Sequence, residues 1–211
     1  VGLYGNALIT SSGALGGWRP YGPPRKVTKS EKNVVFEMDG KPALPLYRMY
    51  IGEAFARGLP GTGLNFPLAI IEEGKRDVEK IRTLLAIDNK NNSLTFAGNV
   101  EEGETVRLCQ TNHDRLVEGA GNAANLVMNG LSVSKTNQVG LALCVSCVGR
   151  KGVMGENVSD EIKLVQQILG SQTSVAGFYS YGEIAPRPNT TDSVLHNQTM
   201  TIGYLSENLL A

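Results

Sequence analysis

Two alternating stretches near the end of the chain give its clearest structural signal. Residues 177–184 and 195–202 each predict a strand, because successive side chains of a strand point to opposite faces. In the second strand His196 and Gln198 share a face with three apolar residues, which predicts that both polar side chains are buried. Buried polar groups need hydrogen-bond partners, so the pair belongs either to a satisfied structural network or to a polar pocket.

The rest of the pattern predicts three helices among many short strands. Helical spacing of apolar residues predicts helices over 43–55, 116–131 and 162–169, with Asp114 and Ser159 capping the second and third. Further strands are predicted at 32–37, 66–71, 81–88, 93–99 and 105–110. The order favours an α/β (α+β) fold, in which helices cover a mainly antiparallel or mixed β-sheet in a sandwich-like arrangement.

Three segments carry more specific expectations. The strand Val139–Val148 is apolar on both sides, which predicts a central strand covered on both faces. Residues 13–24 are dense in Gly and Pro, which predicts an irregular crossing at a domain boundary, with Trp18 packed on one of the two bodies. The charged residues 72–80 predict a solvated loop.

Composition narrows the possible partners. The 211 residues include 20 basic and 20 acidic side chains, so nothing favours binding to nucleic acid or to a membrane surface. This balance favours a small neutral or zwitterionic ligand, or a protein partner. Three Cys are too few for a disulfide scaffold, and no secretory signal or membrane span is recognisable, so we expect a cytoplasmic protein.

Enzyme signatures are weak. The sequence holds no phosphate-binding loop or zinc-protease motif, and its two His lie far apart, so we predict no metal ion, no cofactor and no catalytic residue. Cys144 and Cys147 form a Cys-x-x-Cys, but residues three apart on a strand face opposite ways. We therefore expect both thiols to be reduced and to serve packing.

Arg150 follows the apolar strand and is the first candidate for ligand binding. Open α/β sheets place ligands at strand ends, and a guanidinium offers a fork that suits a carboxylate. Glu183 is its candidate partner, and the two side chains are expected to lie close together. Two interpretations remain open from spacing alone: a shared ligand pocket, or a purely structural Arg150–Glu183 ion pair.

Several motifs in order resemble one family. Cys-Val-Gly-Arg at 147–150, Gly-Phe-Tyr-Ser-Tyr-Gly-Glu-Ile-Ala-Pro at 177–186 and Leu-His-Asn-Gln-Thr-Met-Thr at 195–201 are similar to the C-terminal domain of the FIST family (F-box and intracellular signal transduction). Gly-Trp-Arg-Pro at 17–20 and Arg-Thr-Leu at 82–84 fit as well. The resemblance implies that residues 1–30 are the tail of the N-terminal FIST domain with a Gly/Pro-rich connector, and that residues 31–211 are the C-terminal domain.

The resemblance also implies an intracellular sensory module for signal transduction. Its expected partners are a small-molecule ligand, for which amino acids are candidates, the N-terminal FIST half and a signalling protein. The expected ligand-binding residues are Arg82, Cys147, Arg150, Tyr181, Glu183, His196 and Asn197. Two alternatives remain: a protein-interaction module, which a large exposed apolar patch would favour, and an enzyme with Cys147 as nucleophile and His196 as base.

Overall fold

A computed structural model describes residues 2–71, 78–131, 139–186 and 192–208, which form two compact units. The first, here called the four-stranded unit, consists of Val1–Gly17, Asn112–Val194 and Gln198–Ala211. The second, here called the eight-stranded unit, consists of Trp18–Thr111 and Leu195–Asn197. Both mix helices with mainly antiparallel strands, so the predicted α+β class is confirmed.

The elements alternate along the chain. The strands are β1 (Leu8–Leu15), β2 (Arg19–Glu31), β3 (Val34–Met38), β4 (Lys41–Pro42), β5 (Leu68–Ile71), β6 (Val78–Arg82), β7 (Leu84–Asp88), β8 (Ser93–Phe96), β9 (Thr105–Gln110), β10 (Gly140–Cys147), β11 (Thr173–Ser180), β12 (Glu183–Pro186), β13 (Ser193–His196) and β14 (Met200–Glu207). The helices are α1 (Ala43–Ile51), α2 (Glu53–Ala56), α3 (His113–Gly130), α4 (Val148–Met154) and α5 (Ser159–Leu169), with 3-10 turns at Gly61–Asn65 and Gly155–Val158.

The eight-stranded unit builds one apolar core from its sheet and α1. The strand order is β6-β5-β9-β2-β3-β8-β7, with β4 beside β3. Leu44 and Tyr47 of α1 are buried against Phe96 and Val106 of the sheet. Tyr47 donates its hydroxyl hydrogen to the carbonyl of Phe66 at 2.7 Å, which satisfies the polar end of a buried aromatic ring.

The four-stranded unit is a sheet in the order β1-β14-β10-β11. Strands β10 and β11 are parallel and are connected through α4 and α5, whereas β14 runs antiparallel to both of its neighbours. Helix α3 packs closely against β1. A Cβ on Gly13 would lie only 2.1 Å from the carbonyl oxygen of Ala123, so the two backbones meet where Gly13 has no side chain. Glycine at this position of β1 therefore allows the close approach of α3.

The coverage of β10 differs from the prediction. The strand is central, but Leu141 and Leu143 on one side are 43% and 45% exposed, while Ala142 and Cys144 on the other are buried. The prediction of cover on both faces was therefore wrong. Apolar side chains on both sides show that neither face prefers water, and they do not show what covers each face in this chain.

Both closing strands of the sequence prediction are interrupted. The first breaks at Tyr181 and Gly182, which separate β11 from β12, and the second breaks at 197–199, which separate β13 from β14. At the second break Gln198 has φ of 55°, a left-handed conformation that an L side chain adopts rarely and that ends the alternation. His196 is buried as predicted, but it does not share a strand face with Met200.

Smaller corrections concern caps and the Pro-rich crossing. Asn112, and not Asp114, caps α3 by accepting a hydrogen bond from the Arg115 amide, and Ser159 is the first residue of α5 and not its cap. Residues 19–31 form strand β2 despite three prolines, with its pairing to β9 interrupted between Tyr21 and Arg25. Of the predicted loop 72–80, residues 72–77 lie outside the described residues and 78–80 belong to β6.

Candidate functional site

Glu183 is the centre of a buried polar cluster in the four-stranded unit. Its Oε1 accepts a hydrogen bond from the Ser180 hydroxyl at 2.6 Å, and its Oε2 accepts one from the Thr199 hydroxyl at 2.8 Å. The thiol of Cys147 also hydrogen-bonds to this carboxyl group. The structure thus brings together two of the predicted site residues, Cys147 and Glu183.

The environment of Glu183 favours its protonated form. Burial raises the pKa of the carboxyl group, and the hydrogen bonds from Ser180, Thr199 and Cys147 only partly offset that rise. A carboxyl group of this kind can donate a hydrogen as well as accept one. Because Glu183 is the first residue of β12, its bonds to Thr199 fix the start of that short strand next to the start of β14.

Cys147 does not have the electrostatic environment of a nucleophile. Burial and the neighbouring Glu183 raise the pKa of the Cys147 thiol, and burial raises that of Cys144 to about 11. A nucleophilic cysteine requires a lowered thiol pKa. All three cysteines are free and buried, which agrees with the prediction of reduced thiols.

Arg150 pairs with Glu161, and not with Glu183. Both side chains are fully buried, and the guanidinium Nε and Nη2 donate to Glu161 Oε2 at 3.1 and 2.7 Å. The remaining donors reach the carbonyl oxygens of Gly16 at 2.6 Å and Leu116 at 2.9 Å. The guanidinium therefore joins α3, α4 and α5, and its donors are directed at protein acceptors.

Sequence reasoning missed Glu161. An acidic residue in the first turn of a helix suits the macrodipole, and this position alone therefore does not call for a buried partner. However, Glu161 also lies four residues before Val165 and eight before Leu169, so it falls on the buried stripe of α5. An acidic residue on an apolar stripe signals a buried partner, and that signal was available in the sequence.

Arg82, His196 and Asn197 come together in the eight-stranded unit. Arg82 Nε donates to the carbonyl oxygen of Asn99 at 2.8 Å, and its Nη1 donates to those of Ile81 and Leu195 at 3.1 Å. Asn197 accepts a hydrogen bond from the Thr83 amide and donates one to the carbonyl oxygen of His196. All three side chains are buried, so this network holds residues 195–197 against the sheet.

Tyr181 differs from the other predicted site residues because its side chain is 91% exposed. It stands in the break between β11 and β12, next to the left-handed Gly182 with φ of 157°. The structure places Cys147 and Glu183 together, Arg82, His196 and Asn197 together, Arg150 beside Glu161, and Tyr181 at the surface.

A cavity of about 480 Å³ lies within the four-stranded unit, beside β12. Its lining residues are small or aliphatic, with polar groups from Ser12, Asn129 and Thr201. Ile184, Ala185 and Pro186 form one wall, directly after Glu183. This size falls within the range of roughly 300 to 1,000 Å³ that is typical of small-molecule sites.

The described residues contain neither a cluster of metal ligands nor a helix that could span a membrane. In 2–71, 78–131, 139–186 and 192–208, no three His, Cys, Asp or Glu side chains cluster as metal ligands do. The longest described helix, α3 with 18 residues, lacks the apolar length to cross a bilayer, and so does every other helix in those ranges.

Comparison with known proteins gives consistent matches. The chain is 27% identical over 177 residues to an uncharacterized protein of Mycobacterium bovis and equally to one of Mycobacterium tuberculosis. Each match covers 81% of this chain but 44% of the relative, so the chain spans about half the length of these relatives. No solved structure matches significantly.

Family models divide the chain near residue 42. The FIST N domain matches residues 1–41 and the FIST C domain matches residues 43–186. FIST domains are sensor-type domains of signal transduction. The boundary predicted near residue 30 stays a prediction. Because the FIST C match covers more than half of the 211 residues, this chain belongs to the FIST family.

Proposed function

We propose that the chain is part of a signal-transduction sensor whose four-stranded unit binds a small, uncharged molecule. The cavity beside β12 carries this proposal, because it combines a suitable volume with apolar walls and a few polar groups. The free thiols of the three cysteines are consistent with a cytoplasmic sensor. A signalling protein partner remains part of the proposal.

The lining determines the chemistry of the ligand. Among the described residues that form the cavity, none carries a charge. An ammonium or carboxylate group would lose hydration there without gaining an ionic partner, which is costly. We therefore infer a mainly apolar ligand with one or two hydrogen-bonding groups for Ser12, Asn129 or Thr201, and we keep amino acids, the ligands that the family resemblance suggested, as the alternative.

The position of Glu183 offers a way to transmit binding. Residues 184–186 of β12 and residues 201–203 of β14 line the cavity on two sides. Glu183 directly precedes the first segment, Thr199 lies two residues before the second, and the two are joined by a 2.8 Å hydrogen bond. A ligand that binds one arrangement of the two strands more tightly than another shifts the equilibrium toward that arrangement. It thereby changes the fraction of molecules in which the Glu183–Thr199 hydrogen bond is made.

Gly203 allows a sharp test. A Cβ on Gly203 would meet nothing within 4 Å, and the residue lines the cavity, so Gly203→Leu fills the cavity without a backbone clash. Gly61 has the same open surroundings but lies in the eight-stranded unit, so Gly61→Leu is the matched control. A thermal-shift screen would compare uncharged metabolites with amino acids.

A true ligand at a hundredfold excess over Kd adds about 2.7 kcal/mol of stability, roughly 5 to 10 °C for a chain of this size. We expect at least one uncharged compound to produce such a shift in the parent and in Gly61→Leu, and none in Gly203→Leu. Shifts by amino acids alone would reject the inferred ligand chemistry. A hit that shifts Gly203→Leu as strongly as the parent would reject the cavity as its site.

A further inference from the structure

One face of the four-stranded sheet is left uncovered by the described helices. The pairing of the strands places twelve side-chain positions on this face in three cross-strand rows: Thr10, Leu205, Leu141 and Ser174; Ser12, Gly203, Leu143 and Ala176; and Ala14, Thr201, Val145 and Phe178. We call these twelve positions the open face. Helices α3 and α5 pack on the opposite side, where Ala142, Cys144 and Ile202 are buried.

The open face is unusual in composition. None of these twelve positions is charged, although the adjoining pair on the same face, Leu8 and Glu207, includes a carboxylate. A sheet face that ordinarily meets water is largely polar, whereas four of the twelve are Ser or Thr and the large apolar residues Leu141, Leu143 and Phe178 are 43%, 45% and 60% exposed. Contiguous apolar surface of this kind marks an interaction site.

We propose that the open face is the docking surface for the remainder of an N-terminal FIST domain. The FIST N match, residues 1–41, includes all of β1, which is an edge strand of this sheet. Strand β1 also contributes Thr10, Ser12 and Ala14 to the open face. A domain to which β1 belongs is therefore already anchored along one side of that face.

The relatives and the charge pattern support the same occupant. The matched region is less than half of each curated relative, so those proteins contain additional chain. A face with few charges and with exposed Leu141, Leu143 and Phe178 suits a permanent contact, because obligate interfaces are more hydrophobic than transient ones and resemble a domain core cut in half. Six of the twelve positions of the open face also line the cavity beside β12, whereas Leu141 and Phe178 do not line it.

Cysteine labelling tests the proposal. The native thiols are buried, so a maleimide reports mainly on an introduced residue. Leu141→Cys places the probe on the open face, and Met49→Cys places a control on α1, where the native side chain is 66% exposed. Each variant is labelled in the 211-residue chain and in a longer protein where a complete FIST N domain is continuous with residue 42.

In the longer protein, we expect Leu141→Cys to react at least about tenfold more slowly than in the 211-residue chain, since a packed interface excludes water. Met49→Cys should react equally in both. Equal rates for Leu141→Cys would overturn the proposal. Dimerisation of the 211-residue chain that Leu141→Lys abolishes, together with equal rates in the longer protein, would assign the face to a second copy instead.

The docking test is separate from the ligand test. Leu141 does not line the cavity, so its labelling does not depend on whether a ligand binds there. Conversely, Gly203→Leu can abolish a thermal shift while Leu141→Cys remains protected. Failure of one proposal therefore leaves the other open to its own test.

Discussion

The two units protect their apolar residues in different ways. In the eight-stranded unit, α1 and the sheet share one core in which Leu44, Leu94 and Phe96 are fully buried. In the four-stranded unit, helices cover one side of the sheet, a buried Arg150–Glu161 pair joins those helices, and the other side stays open. The first arrangement is complete in itself, whereas the second combines an ionic connection with unused apolar surface.

This difference bears on function. A closed apolar core gives stability, whereas an uncovered sheet face and a cavity of about 480 Å³ can both receive a partner. The predicted ligand residues Arg82, His196 and Asn197 are engaged in the eight-stranded unit, and the cavity belongs to the four-stranded unit. Sensing therefore fits the four-stranded unit better.

The largest expected effect comes from breaking the ion pair. Arg150→Met leaves Glu161 buried with the hydroxyls of Ser146 and Tyr179 but without its ionic partner, and removal of one partner of a buried ion pair costs about 3–5 kcal/mol. Urea unfolding by circular dichroism would measure this loss. Hydrogen exchange should locate it in α3 and α5, while fluorescence of Trp18, the only tryptophan, reports on the eight-stranded unit.

The matched control for that prediction is the double variant Arg150→Met, Glu161→Leu. An apolar pair of similar volume removes the unpaired carboxylate, so we expect it to recover most of the lost stability. Equal losses in the single and double variants would mean that the carbonyl contacts to Gly16 and Leu116, rather than the charge pair, carry the effect.

A pair of leucine substitutions sharpens the comparison of the two units. Leu44→Ala opens a cavity in the closed core and should cost about 2–5 kcal/mol, because Leu44 is fully buried. Leu141→Ala removes a side chain from the open face and should cost less than about 1 kcal/mol. Urea unfolding of the 211-residue chain measures both, and equal losses would contradict the contrast between the units.

The third effect concerns Glu183 and depends on pH. Its pKa is raised by burial, so its contribution to stability is fully present below the unfolded pKa, near 4.5, and is lost as pH rises through the folded pKa. Glu183→Gln imitates the neutral form and should not show that loss. We expect the free energy of unfolding of the parent, relative to this variant, to fall from pH 4 to about pH 7.

Glu156→Gln is the matched control for the carboxyl prediction, because Glu156 is exposed in a 3-10 turn of the same unit. Unfolding in urea at several pH values would compare the three proteins. If the free energy of unfolding of the parent changes with pH in the same way as that of Glu183→Gln, burial does not perturb the pKa of the Glu183 carboxyl group.

The sequence predicted what local pattern determines. The α+β class and a helix that begins at Ala43 follow from apolar spacing, and the structure confirms both. The predicted helix over 43–55 is divided, because α1 ends at Ile51 and Gly52 separates it from α2. The position of Arg150 could not be predicted, because Cys-Val-Gly-Arg was interpreted as a strand end and α4 begins there instead. Its partner Glu161 comes from a later helix, and such pairing depends on tertiary packing that spacing does not encode.

The breaks in the closing strands had another cause. The alternation of side chains between two faces continues through 195–202 in the sequence. In the structure, Gln198 in a left-handed conformation separates β13 from β14. Nothing in the alternating pattern marks that conformation, because Gln is not a typical turn residue. Glu183 was predicted to lie beside Arg150, and the structure instead joins it to Thr199, which the alternating pattern did not single out.

The smallest effect is expected at His113, at the surface where α3 and α5 begin. Its Nδ1 lies 3.2 Å from Asp114 and its Nε2 lies 3.3 Å from Asp160, which also binds Lys163. The hydrogen bond to Asp114, with contributions from the Asn157 backbone and Asp160, raises the pKa of His113. Its stabilising contribution is thus present below about pH 6.5 and is lost as pH rises through the folded pKa.

Proton NMR can measure this pKa directly, since the chain has only two histidines and His113→Gln assigns their signals. Asp160→Asn should lower the His113 pKa by removing one attracting charge, while the more exposed Asp114 remains. The free-energy difference between the parent and His113→Gln should shrink from pH 5.5 to about pH 8.5. An unchanged His113 pKa in Asp160→Asn would show that Asp160 of α5 contributes nothing to the raised pKa of His113.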